Sequence, residues 1–177
     1  MTLPASAPIS LANVATELRA GSMWLNHDDV KRLLGISRLS GGPISLAQCL
    51  GKTRPWWGLV PVDQDNVGAT TYYGWITSDG GLAEAVDPYF GNVAITGLQA
   101  TLNAGGSNTV LNFASDPGFR NDIKGQLLDD NWGVLREVVF SYHSSTGNWW
   151  TPVTTGTDYS TCLFLSAGYM NVNLIKL

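Results

Sequence analysis

The stretch REVVFSYH, Arg136 to His143, decides the fold class of this chain. Val138, Phe140 and Tyr142 fall in step with a period of two, which sets one face of an extended chain on a core and the other in water. Working outward, the same alternation runs through NVAITGLQATL, Asn92 to Leu102, around Gly97, and through NTVLNFA, Asn108 to Ala114. Further strand candidates are Thr70 to Ile76, Trp149 to Val153, Ser160 to Leu165 and Met170 to Lys176, with AGGSN and STGN as turn material. The expected count is six to eight strands. A parallel sheet would need crossover helices that the spacing leaves no room for, so the expected fold is mainly β, an antiparallel β-sandwich or small barrel. PGFRNDIKGQLLDDN, Pro117 to Asn131, reads as an exception, a short helix across one end with Phe119, Ile123, Leu127 and Leu128 inward.

Upstream the pattern changes. PISLANV, Pro8 to Val14, returns as PISLAQC, Pro43 to Cys49, and each copy carries a helix start signal in Ser10 or Ser45. Ile9 with Val14, and Ile44 with Cys49, have the spacing of a hydrophobic staple, and Gln48 completes a capping box with Ser45. LNHDDV repeats the arrangement, Leu25 and Val30 stapling around a cap at Asn26, with Asp28 and Asp29 at the positive end of the helix dipole. Apolar residues Leu11, Val14, Ala15 and Leu18 carry the first helix towards Gly21, Val30, Leu33 and Leu34 carry the second to Gly35, and Leu46 to Leu50 carries the third to Gly51. Helices this short are marginal alone, so the segment is expected to be held by packing against other polypeptides.

The charge balance separates the same two parts. Residues 1–55 hold six Lys or Arg against three Asp or Glu, net +3, and residues 56–177 hold four against eleven, net −7, which together give the formal −4. The change falls at KTRPWW, Lys52 to Trp57, so the expected division is a helical docking segment over 1–54 and a β domain over 55–177. No run approaches the ~20 apolar residues of a membrane helix, and the first ten residues lack the basic start and apolar stretch of a signal peptide, which points to assembly in a cytoplasm. Cys49 and Cys162 read as two buried thiols.

The opening pattern, P-I-S-L-x-x-V-x-x-E-L, then a middle helix, then G-x-I-S-L-x-x-x-x-G-K-T over residues 1–53, resembles the leading segment of small structural proteins of tailed bacteriophages. YYGW at Tyr72 to Trp75, P-x-F-G at Pro88 to Gly91 and I-x-x-L at Ile95 to Leu98 resemble a β-sandwich domain of phage tail and appendage proteins. The resemblance implies a virion component, tail- or fibre-associated, with other phage structural proteins as partners. It further implies a homo-oligomer related to a trimer or hexamer, and a host-surface glycan or protein as the thing attached to. Docking then falls to Ile9, Ser10, Leu11, Val14, Leu18, Leu25, Val30, Leu33, Leu34, Ile44, Ser45 and Leu46.

Chemical motifs are sparse. Asp63, Asp65 and Gly68 imitate the start of a calcium loop, but Val67 and Gly74 stand where oxygen ligands are needed, so the stretch reads as a polar loop. His27 and His143 lack a second ligand at metal spacing, and the adjacent Asp129 and Asp130 read as a solvated turn rather than a glycosidase pair. No nucleophile elbow or phosphate loop occurs, so the expectation is no enzyme, no metal and no cofactor. HDDVKRLLGIS followed by ISLAQCL has the outline of a helix-turn-helix, yet its last helix lacks Lys and Arg before Gly51, which argues against nucleic acid. The aromatic residues Trp56, Trp57, Tyr72, Tyr73, Trp75, Trp149 and Trp150 are the candidate interface, for subunits or for a sugar. In a strand, one of each adjacent Trp pair faces the core and the other outward. The alternative readings are a carbohydrate-binding module or a small helix-turn-helix DNA-binding protein.

Overall fold

The computed structural model describes residues 3, 5, 9–18, 25, 27–39, 41–52, 54–76, 89–90 and 92–177. The chain forms two compact units, Met1–Pro55 with Asn131–Gly133, and Trp56–Asp130 with Val134–Leu177.

The described residues of the larger unit form nine strands: β1 (Trp56–Val67), β2 (Thr70–Ile76), β3 (Tyr89–Phe90), β4 (Val93–Leu102), β5 (Asn108–Phe113), β6 (Ile123–Leu128), β7 (Val134–His143), β8 (Asn148–Trp150) and β9 (Gly168–Lys176). They pair in the order β2-β1-β9-β6-β7-β8-β5-β4-β3, and a further β2–β4 pairing closes eight of them into an antiparallel barrel with β3 as an extra strand. Of the two architectures left open by the sequence, the sheet adopts the barrel. Two long strands explain why a sandwich was a near alternative. Residues Trp56–Val62 of β1 pair with β9 and Asp63–Val67 pair with β2. Likewise β7 pairs with β6 over Val134–Phe140 and with β8 over Ser141–His143. Each passes from one face to the other, as corner strands do.

The handover also accommodates Pro61, which cannot donate to a ladder and is normally confined to edges. Pro61 pairs with Tyr169 of β9 and lies before the stretch joined to β2, so no neighbour on its other side requires its missing N–H.

Inward residues from both faces meet in one core, including Trp56, Val60, Trp75, Leu98, Leu111, Ile123, Phe140, Trp149, Val172 and Leu174. Phe113, Phe119 and Tyr142 pack their rings against Trp149 at centroid distances of 5.1, 5.3 and 4.9 Å, and the Trp149 indole N–H donates to the Asn121 carbonyl at 2.9 Å.

Three expectations are corrected. Pro117 to Asn131 is not a helix: the Asp116 carboxylate accepts from the Gly118 N–H at 2.8 Å, Gly118 sits at φ +75°, and Ile123–Leu128 is β6, paired on both sides. Ladder bonding to two strands outweighs an apolar spacing that fits either period, and Leu128, opposite Asn171, falls on the outer row rather than inward. Ser160 to Leu165 is not a strand; Cys162, Leu163 and Phe164 are fully buried in an irregular segment tied down by hydroxyl groups. Asp63 and Asp65 lie in β1 rather than in a loop.

Among the described residues, the smaller unit contains α1 (Leu11–Glu17), α2 (Asp28–Leu34) and one 3-10 turn at Leu46–Cys49. Ser10 caps α1, its Oγ accepting from the Asn13 N–H at 3.2 Å while Asn13 Oδ1 accepts from the Ser10 N–H at 2.8 Å. The cap of α2 is His27, one residue after the expected one: Nδ1 accepts from the Asp29 N–H at 3.2 Å, and Asn26 lies outside the described residues. The expected stop at Gly21 lies outside them as well. Gly35 ends α2 at φ +68° with the Ile36 N–H returning to the Lys31 carbonyl, the left-handed stop that glycine permits. In the third turn the Ser45 N–H donates to Gln48 Oε1 at 2.7 Å.

Candidate functional site

Parity along the strands sorts the candidate aromatics. Trp56, Trp75 and Trp149 are buried and Tyr73 packs against the core, all on the inner face, so they belong to the fold rather than to a surface. Trp57, Tyr72 and Trp150 occupy outer rows and are half-buried. Each adjacent Trp pair is thus split between core and exterior.

Around Trp150 the exterior has a definite construction. The turn after β7 is tightened by the Gly147 N–H donating to the His143 carbonyl at 2.9 Å, with Gly147 at φ +74°. The resulting register sets Ser141 opposite Trp150 and His143 opposite Asn148, so His143 and Trp150 are diagonal neighbours on the outer face. Their rings stack with centroids 4.4 Å apart and planes 14° from parallel. His143 Nδ1 and the Ser145 hydroxyl lie 2.9 Å apart, which fixes the imidazole. On the other side, Trp150 faces Val110 of β5, and Gln99 of β4 faces Val110 in turn. The site is a stacked aromatic pair on a sheet of amide and hydroxyl side chains.

A second exterior region lies on β1 and β9. Leu59 is 42 % exposed and Tyr169 76 %, and Pro61 pairs with Tyr169 while Leu59 pairs with Asn171. Further along β7, Val134 and Leu135 are 52 % and 65 % exposed. Neither His143 nor Tyr169 was marked by the sequence. His143 had a signal in its strand-end position, but its pairing with Trp150 depends on a register that only folding defines.

In the smaller unit, Val14, Leu18, Val30 and Leu33 are buried, Ile9, Leu25, Leu34, Ile44 and Leu46 are half-buried, and Ser10, Leu11 and Ser45 are exposed. The buried residues form no part of the barrel core. Polar groups are enclosed with them: buried Glu17 accepts from the Arg54 N–H at 2.7 Å, and Lys31 Nζ donates to the Arg38 carbonyl at 2.9 Å. The Arg32 and Arg38 guanidinium groups lie 4.4 and 5.8 Å from the Trp132 ring centroid, and the Asn131 carbonyl accepts from the Arg38 N–H and the Ser37 hydroxyl.

No group of three or more metal-ligating side chains occurs among the described residues. Asp130 accepts from Asn171 Nδ2 at 3.4 Å, and both cysteines are buried free thiols. Comparison with known proteins finds no matching family model, no matching curated protein and no matching solved structure.

Proposed function

We propose that this chain is a structural protein of a tailed-bacteriophage particle, tail- or fibre-associated, in which the short-helix unit serves assembly and the barrel is displayed for subunit contact or host-surface attachment. The observation that carries the reading is the pairing of two compact units of opposite formal charge, the helical one +3 and the barrel −7, with Asn131–Gly133 adding none. Opposite charge steers association between copies and orders their contacts. Support comes from the exposed side chains of Leu59, Tyr169 and Leu135, of the kind that subunit contacts cover, and from the sequence resemblance of residues 1–53. The protein acts by binding and assembly, not catalysis, and enters the virion from the host cytoplasm as one of several identical copies.

Mass spectrometry of purified particles tests this directly. The protein is expected at fixed stoichiometry in intact particles and as a defined oligomer in light scattering of the free chain. Its absence from particles would remove the proposal.

A further inference from the structure

The barrel exterior that bears Trp150 lacks charge altogether. Between Asp87 and Asp116, and again between Glu137 and Asp158, the sequence has no Asp, Glu, Lys or Arg, although the chain carries 24 of them, ten basic and fourteen acidic. These two stretches contain all of β4, β5 and β8 and the end of β7, strands that pair with one another side by side. A solvated sheet face ordinarily carries interspersed Lys and Glu. Besides Val110 opposite Trp150, the outer positions here include Gln99, Asn108, Asn112, Ser141 and Asn148, around Trp150 and His143. Among the described residues, none of those five side chains makes a hydrogen bond within the chain. Their donors and acceptors point to solvent beside a stacked aromatic surface.

We infer that this face binds a neutral oligosaccharide. A sugar ring offers an apolar C–H face and a rim of hydroxyls that both donate and accept. An indole–imidazole pair matches the first, and unengaged amides, each presenting a donor and an acceptor, match the second. The missing charges select against acidic glycans and nucleic acids, which need cations to neutralise them. A protein partner would also favour charge depletion and aromatics, but it would call for mostly apolar positions, where this face has Val110 set among amides and hydroxyls. The assignment rests on the attachment half of the proposed function and specifies its ligand.

The test is an NMR titration of the full-length isotope-labelled chain with cellohexaose, maltohexaose and mannohexaose, with a uronic-acid hexasaccharide as the charged control. At least one neutral hexaose is expected to shift the Trp150 indole N–H saturably. Trp150→Ala and His143→Ala weaken that binding roughly tenfold, the loss of one aromatic contact, whereas Tyr169→Ala leaves it unchanged. His143→Ala keeps the test sharp should the Trp150 variant fold poorly. No shift with any neutral hexaose, equal binding of the charged control, or unaltered binding by both variants overturns the inference. So does conversion of an oligomer to monomer by His143→Ala with no sugar effect, which makes the face a subunit contact. Because the titration uses free protein, sugar binding and particle membership can fail independently.

Discussion

At the scale of single residues, Thr109 ties an irregular segment to the barrel through one side chain. It is fully buried in β5, its hydroxyl accepts from the Leu163 N–H at 2.8 Å and donates to the Thr161 carbonyl at 3.2 Å, and its own N–H donates to Thr151 Oγ1 at 2.7 Å. These bonds hold the irregular segment that fills the barrel with Leu163 and Phe164. Thr109→Val keeps the shape but orphans a buried donor and acceptor, at a cost of about 1–3 kcal/mol. Urea unfolding is expected to show a lower midpoint with unchanged slope, and Thr109→Ser to recover most of it. In the same segment, burial pushes the Cys162 thiol from 9.0 up to about 11. The folded chain therefore holds that proton more tightly than the unfolded chain. The resulting stability is fully present below pH 9 and is lost as the pH climbs through about 11. The thermal midpoint of the wild type should fall more steeply across that window than that of Cys162→Ala. Parallel curves would show that the thiol does not couple to folding.

At the scale of elements, barrel closure depends on how near β2 comes to β4. A Cβ added at Gly74 would clash with the Leu98 carbonyl oxygen and meet the Gln99 Cα at 2.6 Å, and neither backbone atom can turn aside. Gly125 is also tight, but its added Cβ would meet the Phe140 ring, at 2.6 Å. Gly74→Ala should therefore cost more than the about 1–3 kcal/mol typical of overpacking, with amide exchange accelerating first along β2 and β4. Gly125→Ala should stay within that range. Equal effects would mean that β2 can shift freely. How legible each element was follows from its two faces. REVVFSYH and Thr70–Ile76 alternate because one face is wet, so their period was readable. β6 has Gly125 facing the core and a bulge between Leu127 and Leu128, which blurs its alternation into a helical spacing. β1 hides behind Pro61 and the exposed Asp63 to Val67, tolerated only because its partner changes midway. The run TCLFL looks like a strand because it is apolar, yet its burial is that of a plug. At the candidate site, alternation split the Trp149–Trp150 pair between core and exterior without saying which faced out, while the stacking of His143 needed the β7–β8 register.

For the whole molecule, the decisive question is what makes the first 55 residues compact when the described ones form two seven-residue helices. Isolated helices of that length are unstable in water. The compact unit is completed from far along the sequence, by Asn131–Gly133 between β6 and β7. Trp132 lies under Arg32 and Arg38 and is the sole non-glycine at positive φ among the described residues, at 64°. A left-handed backbone costs a non-glycine residue about 1–2 kcal/mol, and cation–π contact returns a similar amount once partly desolvated, about 0.5–2 kcal/mol. The fragment Met1–Pro55 should therefore show no cooperative melt, since it lacks that ring. In the full chain, Trp132→Ala should speed amide exchange in α2 more than Trp132→Gly does, because alanine keeps the strained backbone and loses the ring, whereas glycine loses both the ring and the strain. A fragment that melts sharply as a monomer, or variants in the opposite order, would show that the first 55 residues carry their own fold and owe nothing to the β6–β7 connection.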